Sequence, residues 1–443
     1  MNFAIALGFS LMFPAFQNSA LDARIASERA PLEALYKHLH STPELSYAEE
    51  KTSARIAEEL KKAGFEVTQN IGKYKDPSRR AFGVVGILKN GEGPTILVRT
   101  DLDGLPVEEK TNVPYASKAT GKNDQNEDVA TMHACGHDMH MTVFVGTARV
   151  LSSLKNEWKG TLLFVAQPAE ERAPGGAEAM LNDGLYTKFG TPRAAFALHC
   201  NSSLETGKIG YVKEYALANA DTVDITVRGA GGHGAYPNAT KDPIVLAAQM
   251  ILSFQTIVSR EIPPGEPAVV TVGSIHGGTK HNIIPDEVKL QLTVRSYSNK
   301  TRDTILNAIK RIAKGTAEAA GVPKDREPIV NLNSDMLVPA TYNNPDLTDA
   351  VLPALKSAVG ASNVVSLKPV LGAEDFGHYS LPDHSIPCVM LWLGTVSREK
   401  IEANEKSGAP LPSLHSSLYA PEIHPTIETG VKAMATIVMD RMN

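Results

Sequence analysis

At 443 residues the chain is long enough for two or three domains, and its make-up, 42% hydrophobic and 21% charged, is that of an ordinary globular protein. The net charge is −5 and no run of Lys or Arg stands out, which argues against nucleic acid or an anionic membrane as the principal partner. Three cysteines, Cys135, Cys200 and Cys388, are too few and too widely spaced for a disulfide framework.

The chain opens on roughly fifteen mostly apolar residues with no charged side chain until Asp22, a pattern like the apolar region of a secretory signal. Residues 1–20 therefore read as a signal peptide, and the protein as exported, to a periplasm or beyond. A cytoplasmic location is the alternative, because no Lys or Arg precedes the stretch and Asn18-Ser19-Ala20 is a poor cleavage consensus. No run of roughly eighteen apolar residues follows, so neither an internal membrane span nor stable membrane association after processing is expected.

From 21 to 220 the texture is α/β. The short apolar runs "FGVVGIL" (82–88), "TILVRT" (95–100), "TLLFVAQ" (161–167) and "AAFALH" (194–199) lack strict alternation, as parallel strands buried on both faces do. Helices are predicted over 47–63, stopped by Gly64, and over 141–154. Over 221–328 the pattern changes: "TVDITVRG" (222–229) alternates Val223, Ile225 and Val227 with polar neighbours, as in a sheet with one wet face. A helix capped by Asp242, with Pro243 at its first position, comes next. Then follow "AVVTVGSI" (268–275), "VKLQLTVR" (288–295) and a helix over about 301–320 closed by Gly321. The β-α-β-β-α order predicts a small α+β domain with its helices on one face, inserted into the larger one. From 329 to 443 the α/β texture returns, with a fifth buried run, "VMLWLG" (389–394).

Polar residues gather where these strands end. "TILVRT" runs into Asp101-Leu102-Asp103, "TLLFVAQ" into Pro168-Ala169-Glu170-Glu171, "AAFALH" stops at His199 and "VMLWLG" at Thr395. Each alone has a plain structural explanation, such as a turn, a helix start or a core histidine. Ligands of open parallel sheets bind at the carboxyl ends of the strands, so the coincidence of four such ends predicts one shared site.

Residues 133–140 read "HACGHDMH", which puts His133, Cys135, His137, Asp138 and His140 within eight positions. Cys135 and His137 stand two apart, on an extended turn before the predicted helix, and a thiolate with an imidazole suits a borderline divalent cation. A nucleophilic Cys–His pair is the competing reading, but it leaves Asp101, Asp103, Glu170 and Glu171 without a task. A hydrolytic metal site uses them all. One of two adjacent carboxylates binds metal while its neighbour takes a proton from water and passes it to the leaving group, chemistry suited to an amide.

The motifs "RTDLDGLPVEE", "MHACGHDMH", "QPAEE", "GGAEAML", "LHCN", "GAGGHGAYP", "GSIHGGTKHNIIPDEV", "GAEDFGHYS" and "LHSSLYAP" occur in order over about 99–421. They resemble metallopeptidase family twenty, the aminoacylase and carboxypeptidase-like di-metal peptidases, and within it subfamily D, which includes hippurate and auxin-conjugate hydrolases. The fold so implied is an α/β, di-metal exopeptidase-like catalytic domain with a mostly parallel central sheet, plus an inserted α+β, ferredoxin-like lid and dimerisation domain. The resemblance implies two divalent cations, Zn or Mn with Co or Ni as alternatives, on Cys135, His137, Glu171, His199 and His415, with the Cys135 thiolate able to bridge them. It makes Glu170 the general acid/base, and Asp103 the aspartate that orients a metal ligand. Asp101 stands where many relatives carry a ligand histidine. Asp138 and His140 then read as groups that orient ligands, and His133 as structural. His233 matches a residue that reaches an active site, often the partner subunit's, to stabilise an oxyanion, and Asn282 and Arg295 match substrate-contacting positions. The activity implied is hydrolysis of N-acyl amino acids or dipeptide-like conjugates by a homodimer paired through the lid. A carboxypeptidase or dipeptidase is the alternative, and a non-catalytic binder of metal or peptide a remote one.

Overall fold

The computed structural model describes residues 15–173, 175–333 and 336–443, with side chains from residue 19 onward. Most of the expected signal peptide, residues 1–14, lies outside the described residues, and its remainder enters helix α1 (Ala15–Ser41).

The large domain is built on one sheet of eight strands among the described residues. In chain order they begin with β1 (Glu66–Ile71), β2 (Gly83–Asn90), β3 (Thr95–Asp101), β4 (Gly160–Gln167), β5 (Ala194–Glu205) and β6 (Ile209–Tyr211). After four strands of the small domain, β7 (Asn219–Arg228), β8 (Ala268–Gly277), β9 (Glu287–Ser296) and β10 (Ile329–Leu332), come β11 (Val364–Ser366) and β12 (Cys388–Val396). The sheet order is β1-β2-β4-β3-β5-β12-β6-β11, and β4, β3, β5 and β12 are mutually parallel. "FGVVGIL", expected to be parallel, is antiparallel to both its neighbours. A run buried on both faces reads the same in either direction, so composition could not orient it.

Burial on both faces is visible residue by residue. On β3, Ile96 and Val98 pack into one core and Leu97 into the other; on β4, Leu162, Phe164 and Ala166 face one and Leu163 and Val165 the other. The first core lies beneath α1, α2 (Glu50–Lys62), α3 (His137–Ser153), α6 (Pro345–Val359) and α7 (Ile423–Met442), where α3 touches both α1 and α7. Gly146 lets that approach happen, since a Cβ there would lie 2.5 Å from Val431 and 2.9 Å from Leu32.

The small domain holds α4 (Pro243–Thr256), whose N-terminal amides on Ile244 and Val245 are capped by the Asp242 carboxylate, and α5 (Asn299–Ala319), capped by Ser298. Its sheet order is β8-β9-β7-β10, every pair antiparallel, over a core of its own. The last strand shifts the expected boundary: Ile329–Leu332 pairs with β7, so the small domain runs to residue 332 rather than 328. Four residues were too short a stretch to show a periodicity.

Candidate active site

The site forms at the carboxyl ends of the parallel strands, as chain direction requires. Strand β3 ends at Asp101 and leads to Asp103, both completely buried. Strand β4 ends at Gln167, and the chain then turns through Ala169, whose φ of 48° is unusual for a residue with a side chain. Ala169 N–H is held by the buried Glu49 at 2.7 Å. That turn points the next two amides at one acceptor: Glu170 N–H and Glu171 N–H donate to the Asp103 carboxylate at 3.1 and 3.0 Å.

The motif is wound more tightly than expected. Helix α3 begins at His137, not at 141, with Gly136 before it in the left-handed region at φ 83°. His137, Asp138 and His140 therefore sit in the first helical turn and point in different directions. The His137 Nδ1–H donates to the Asp103 carbonyl at 2.7 Å, so Nε2 is the position left for a ligand. That atom is buried without a hydrogen-bond partner among the described residues, 3.7 Å from Glu170 and 3.8 Å from Glu171.

His199 shows the same logic. Its Nδ1–H donates to the Cys200 carbonyl at 2.8 Å, and Nε2 lies 3.7 Å from Cys135 Sγ. His140 is committed otherwise: Cys200 N–H donates to its Nε2 at 2.8 Å, so its Nδ1–H is given to Asp101 at 2.8 Å. Both ring nitrogens are used, and His140 has no lone pair for a ligand. Asp138 turns away from the cluster to His40 Nδ1, 2.6 Å away, and His133 is buried with neither nitrogen partnered among the described residues. His415 arrives from the C-terminal part of the chain at a positive φ of 67°, its N–H bonded to the Ala134 carbonyl at 2.8 Å and its Nε2 3.3 Å from Glu171.

Donor atoms of Cys135, His137 and His199 lie within 4.8 Å of one another, as do those of Cys135, Glu171 and His415, so Cys135 belongs to both groups. The donor chemistry fits divalent cations. Imidazole nitrogens of His137, His199 and His415 and the Cys135 thiol meet the carboxylates of Glu170 and Glu171, donor types that suit divalent cations. Burial, reinforced by Glu171 and Glu170, pushes the Cys135 thiol well above its usual range. Burial opposes charge on His137, but Asp101 and Asp103 outweigh it and raise its pKa to about 10. Burial, with His140 beside it, keeps His199 neutral. Glu170 is held well above the usual carboxylate range by burial and by Glu374 and Glu171.

A cavity of about 720 Å³ opens over these groups, lined by Cys135, Glu170, Glu171, His199 and His415 and, from the small domain, by Thr293 and Arg295. Arg295 is half-buried with no carboxylate at ion-pair distance among the described residues; its nearest polar contact is Thr293 Oγ1 at 3.4 Å. His233 and Asn282 do not line this cavity: they sit together on the exposed surface of the small domain, with Gly234 N–H bonded to the Asn282 carbonyl at 2.9 Å. Thr395, grouped with the site from its strand end, bonds instead to the Asn201 carbonyl and Tyr419, and it is Trp392 from the same strand that lines the cavity.

One part of the site had no assigned role. Arg99 is buried on β3 and its guanidinium donates to Asp101 (2.7 Å), Gln167 (2.9 Å), Glu374 (2.8 Å) and Asp375 (2.9 Å). An arginine inside "TILVRT" was the available signal, because a buried charge must be paired. Which acids pair it depends on a contact across 275 residues.

A sheet edge that gathers a thiol, imidazole nitrogens and clustered acids under one cavity defines a hydrolytic metal site. Residues 97–415 match Peptidase family M20/M25/M40, and the chain belongs to that family. It is 37% identical over 350 residues to a hippurate hydrolase of Campylobacter jejuni, covering 78% of this chain and 84% of that protein. It is 35% identical over 409 residues to thermostable carboxypeptidase 2 of Saccharolobus solfataricus, covering 92% and 94%. The structure superposes on a dinuclear metal binding peptidase of Bacillus subtilis with a TM-score of 0.72 at 27% identity, covering 94% of this chain and 100% of that one. The protein is accordingly a metal-dependent amidohydrolase with a mixed α/β fold around a mostly parallel sheet.

Proposed function

We propose that the protein hydrolyses the amide bond of N-acyl amino acids. The observation that carries this reading is that His137 and His199 both commit Nδ1 to a backbone carbonyl and turn their free Nε2 into the group that holds Cys135, beside Glu170. In this reading Cys135, His137, Glu171, His199 and His415 hold two divalent cations, Zn or Mn, with Co or Ni as alternatives. Cations held there would supply charge to polarise a scissile carbonyl and lower the pKa of water. Glu170 takes the proton of the attacking water and delivers it to the departing nitrogen. Asp103 keeps Glu170 and Glu171 in register through their amides. Arg295, the unpaired guanidinium of the cavity wall, receives the carboxylate of the amino-acid portion.

His233 and Asn282 enter by a second copy of the chain, giving an oxyanion contact and a substrate contact across a homodimer paired through the small domain. Supporting this are the exposed apolar side chains of α4 and of the edge strand β8, with Val245 52%, Leu252 72% and Ile275 51% exposed. The apolar N-terminal stretch supports export.

A panel of N-acetyl and N-benzoyl amino acids, assayed against free-amine dipeptides with the metal-reconstituted protein, tests the reading. Preference for the acylated series upholds it. Preference for free dipeptides would favour a carboxypeptidase or dipeptidase, in line with the carboxypeptidase relative, and bound metal without any turnover would favour a binder.

A further inference from the structure

Glu374 has no part in the mechanism above, yet it lines the same cavity and its side chain is only 1% exposed. One oxygen is anchored: Oε1 accepts Arg99 Nη2 at 2.8 Å and Phe376 N–H at 3.0 Å. The other, Oε2, is buried with no hydrogen-bond partner among the described residues. Its neighbours cannot supply one. His199 Nε2 is 3.9 Å away but carries a lone pair, since the proton of that ring is on Nδ1 and given to Cys200. Asp375 is itself an acceptor already occupied by Arg99, Gln167 and Ala177 N–H. A buried carboxylate oxygen left without a donor is costly, so its retention at the floor of a reactive cavity points to a donor that comes with the reaction.

The spacing is compatible with a water as that donor. A carboxylate oxygen of Glu374 and one of Glu170 lie within 4.8 Å of each other. Two acceptors that share one water, each at about 2.8 Å and separated by the water's own bond angle, stand about 4.5 Å apart.

We propose that Glu374 Oε2 is the second acceptor of the nucleophilic water, a positioning group that holds one hydrogen while Glu170 removes the other. Fixing both hydrogens turns the oxygen lone pair towards the scissile carbonyl, and Arg99 fixes Glu374 in turn. The bond count is unchanged: Glu170 alone takes a proton, and Glu374 keeps its hydrogen bond until the water oxygen has joined the carbonyl carbon. This role rests on Glu170 being the general base of an amide hydrolase.

The test uses the full chain, metal-loaded, as wild type and as Glu374→Gln, whose amide cannot present an oxygen to both Arg99 and the water. Metal content is read by elemental analysis, and kinetics on an N-benzoyl amino acid and on the ester of matching shape. Glu374→Gln is expected to keep its metal and its KM while kcat falls between about 10²- and 10⁴-fold on both substrates alike. Unchanged kcat overturns the proposal, loss of metal makes Glu374 a ligand instead, and a loss on the amide alone places it at the departing nitrogen. If wild type hydrolyses neither substrate, the functional reading fails but this one is still decided by crystals of the metal-loaded protein. There, density for a water bonded to both Glu170 and Glu374 Oε2 upholds it, and its absence in wild type overturns it.

Discussion

The Asp103 carboxylate accepts the backbone N–H of Glu170 at 3.1 Å and that of Glu171 at 3.0 Å, while the carbonyl of the same residue fixes His137. One buried aspartate thus sets both the tautomer of an imidazole and the register of two adjacent acids. The consequences can be measured.

Replacing Asp103 by Asn puts an N–H₂ opposite one of those amides and breaks the pairing. Metal affinity should weaken by about 10- to 100-fold, the range for groups that orient metal ligands. Chelator competition against wild type checks this; equal affinity would show that the turn holds Glu170 and Glu171 unaided.

Glu170→Gln removes the proposed base and leaves the donor atoms of both metal groups containing Cys135 in place. Turnover should fall at least about 10²-fold with metal content unchanged. Undiminished hydrolysis in that variant would sink the mechanism.

Metal loading should release protons. Burial and the surrounding acids hold the Cys135 thiol up, and Asp101 and Asp103 raise His137 to about 10, so at neutral pH both carry a proton that a cation must displace. Affinity should therefore rise with pH through the neutral range. Calorimetry in buffers of different ionisation enthalpy would count the protons, and a count of zero would contradict the ligand assignment.

His40 lies between two buried carboxylates, with Nδ1 2.6 Å from Asp138 and Nε2 3.0 Å from Glu109. Burial disfavours its charge, but Asp138 and Glu109 prevail and raise its pKa to about 10. A raised pKa stabilises fully below the unfolded value of about 6.5, and that stability is lost as pH climbs from there to 10. Glu109 and Asp138 are depressed, so their contribution is lost on the acid side instead. His40→Gln should cost about 3–5 kcal/mol near pH 7, as removal of one buried partner does. The gap between the variant and wild type should narrow towards pH 10 in urea unfolding. A gap independent of pH would mean that His40 is uncharged.

Leu252, the most exposed large apolar side chain of α4, provides a test of the proposed pairing through the small domain. Leu252→Asp should shift the mass by light scattering from dimer to monomer and reduce turnover, since His233 would no longer reach a second active site. A monomeric variant of full activity would remove His233 from the mechanism.

Much of this was legible because local chemistry leaves local marks. Doubly buried strands read as unbroken apolar runs, Asp242-Pro243 announced a helix start, and acids at strand ends pointed to one edge of the sheet. The direction of β2 was not legible, nor the extra turn of α3 that separates His137 from His140, nor the bond that turns Thr395 away from the cavity. Arg99 was readable as a buried charge in need of partners, but Glu374 and Asp375 lie far along the chain.

By itself the sequence determined the donor types, the order in which they occur and the two-domain texture, because these follow from residue chemistry and short-range periodicity. Only the tertiary structure decided which nitrogen of each histidine is free, because a tautomer is set by the group opposite it: a carbonyl for His137 and His199, an amide and a carboxylate for His140. It likewise decided that Glu374 is anchored through one oxygen and open through the other, since both facts depend on contacts that chain folding alone brings within 4 Å.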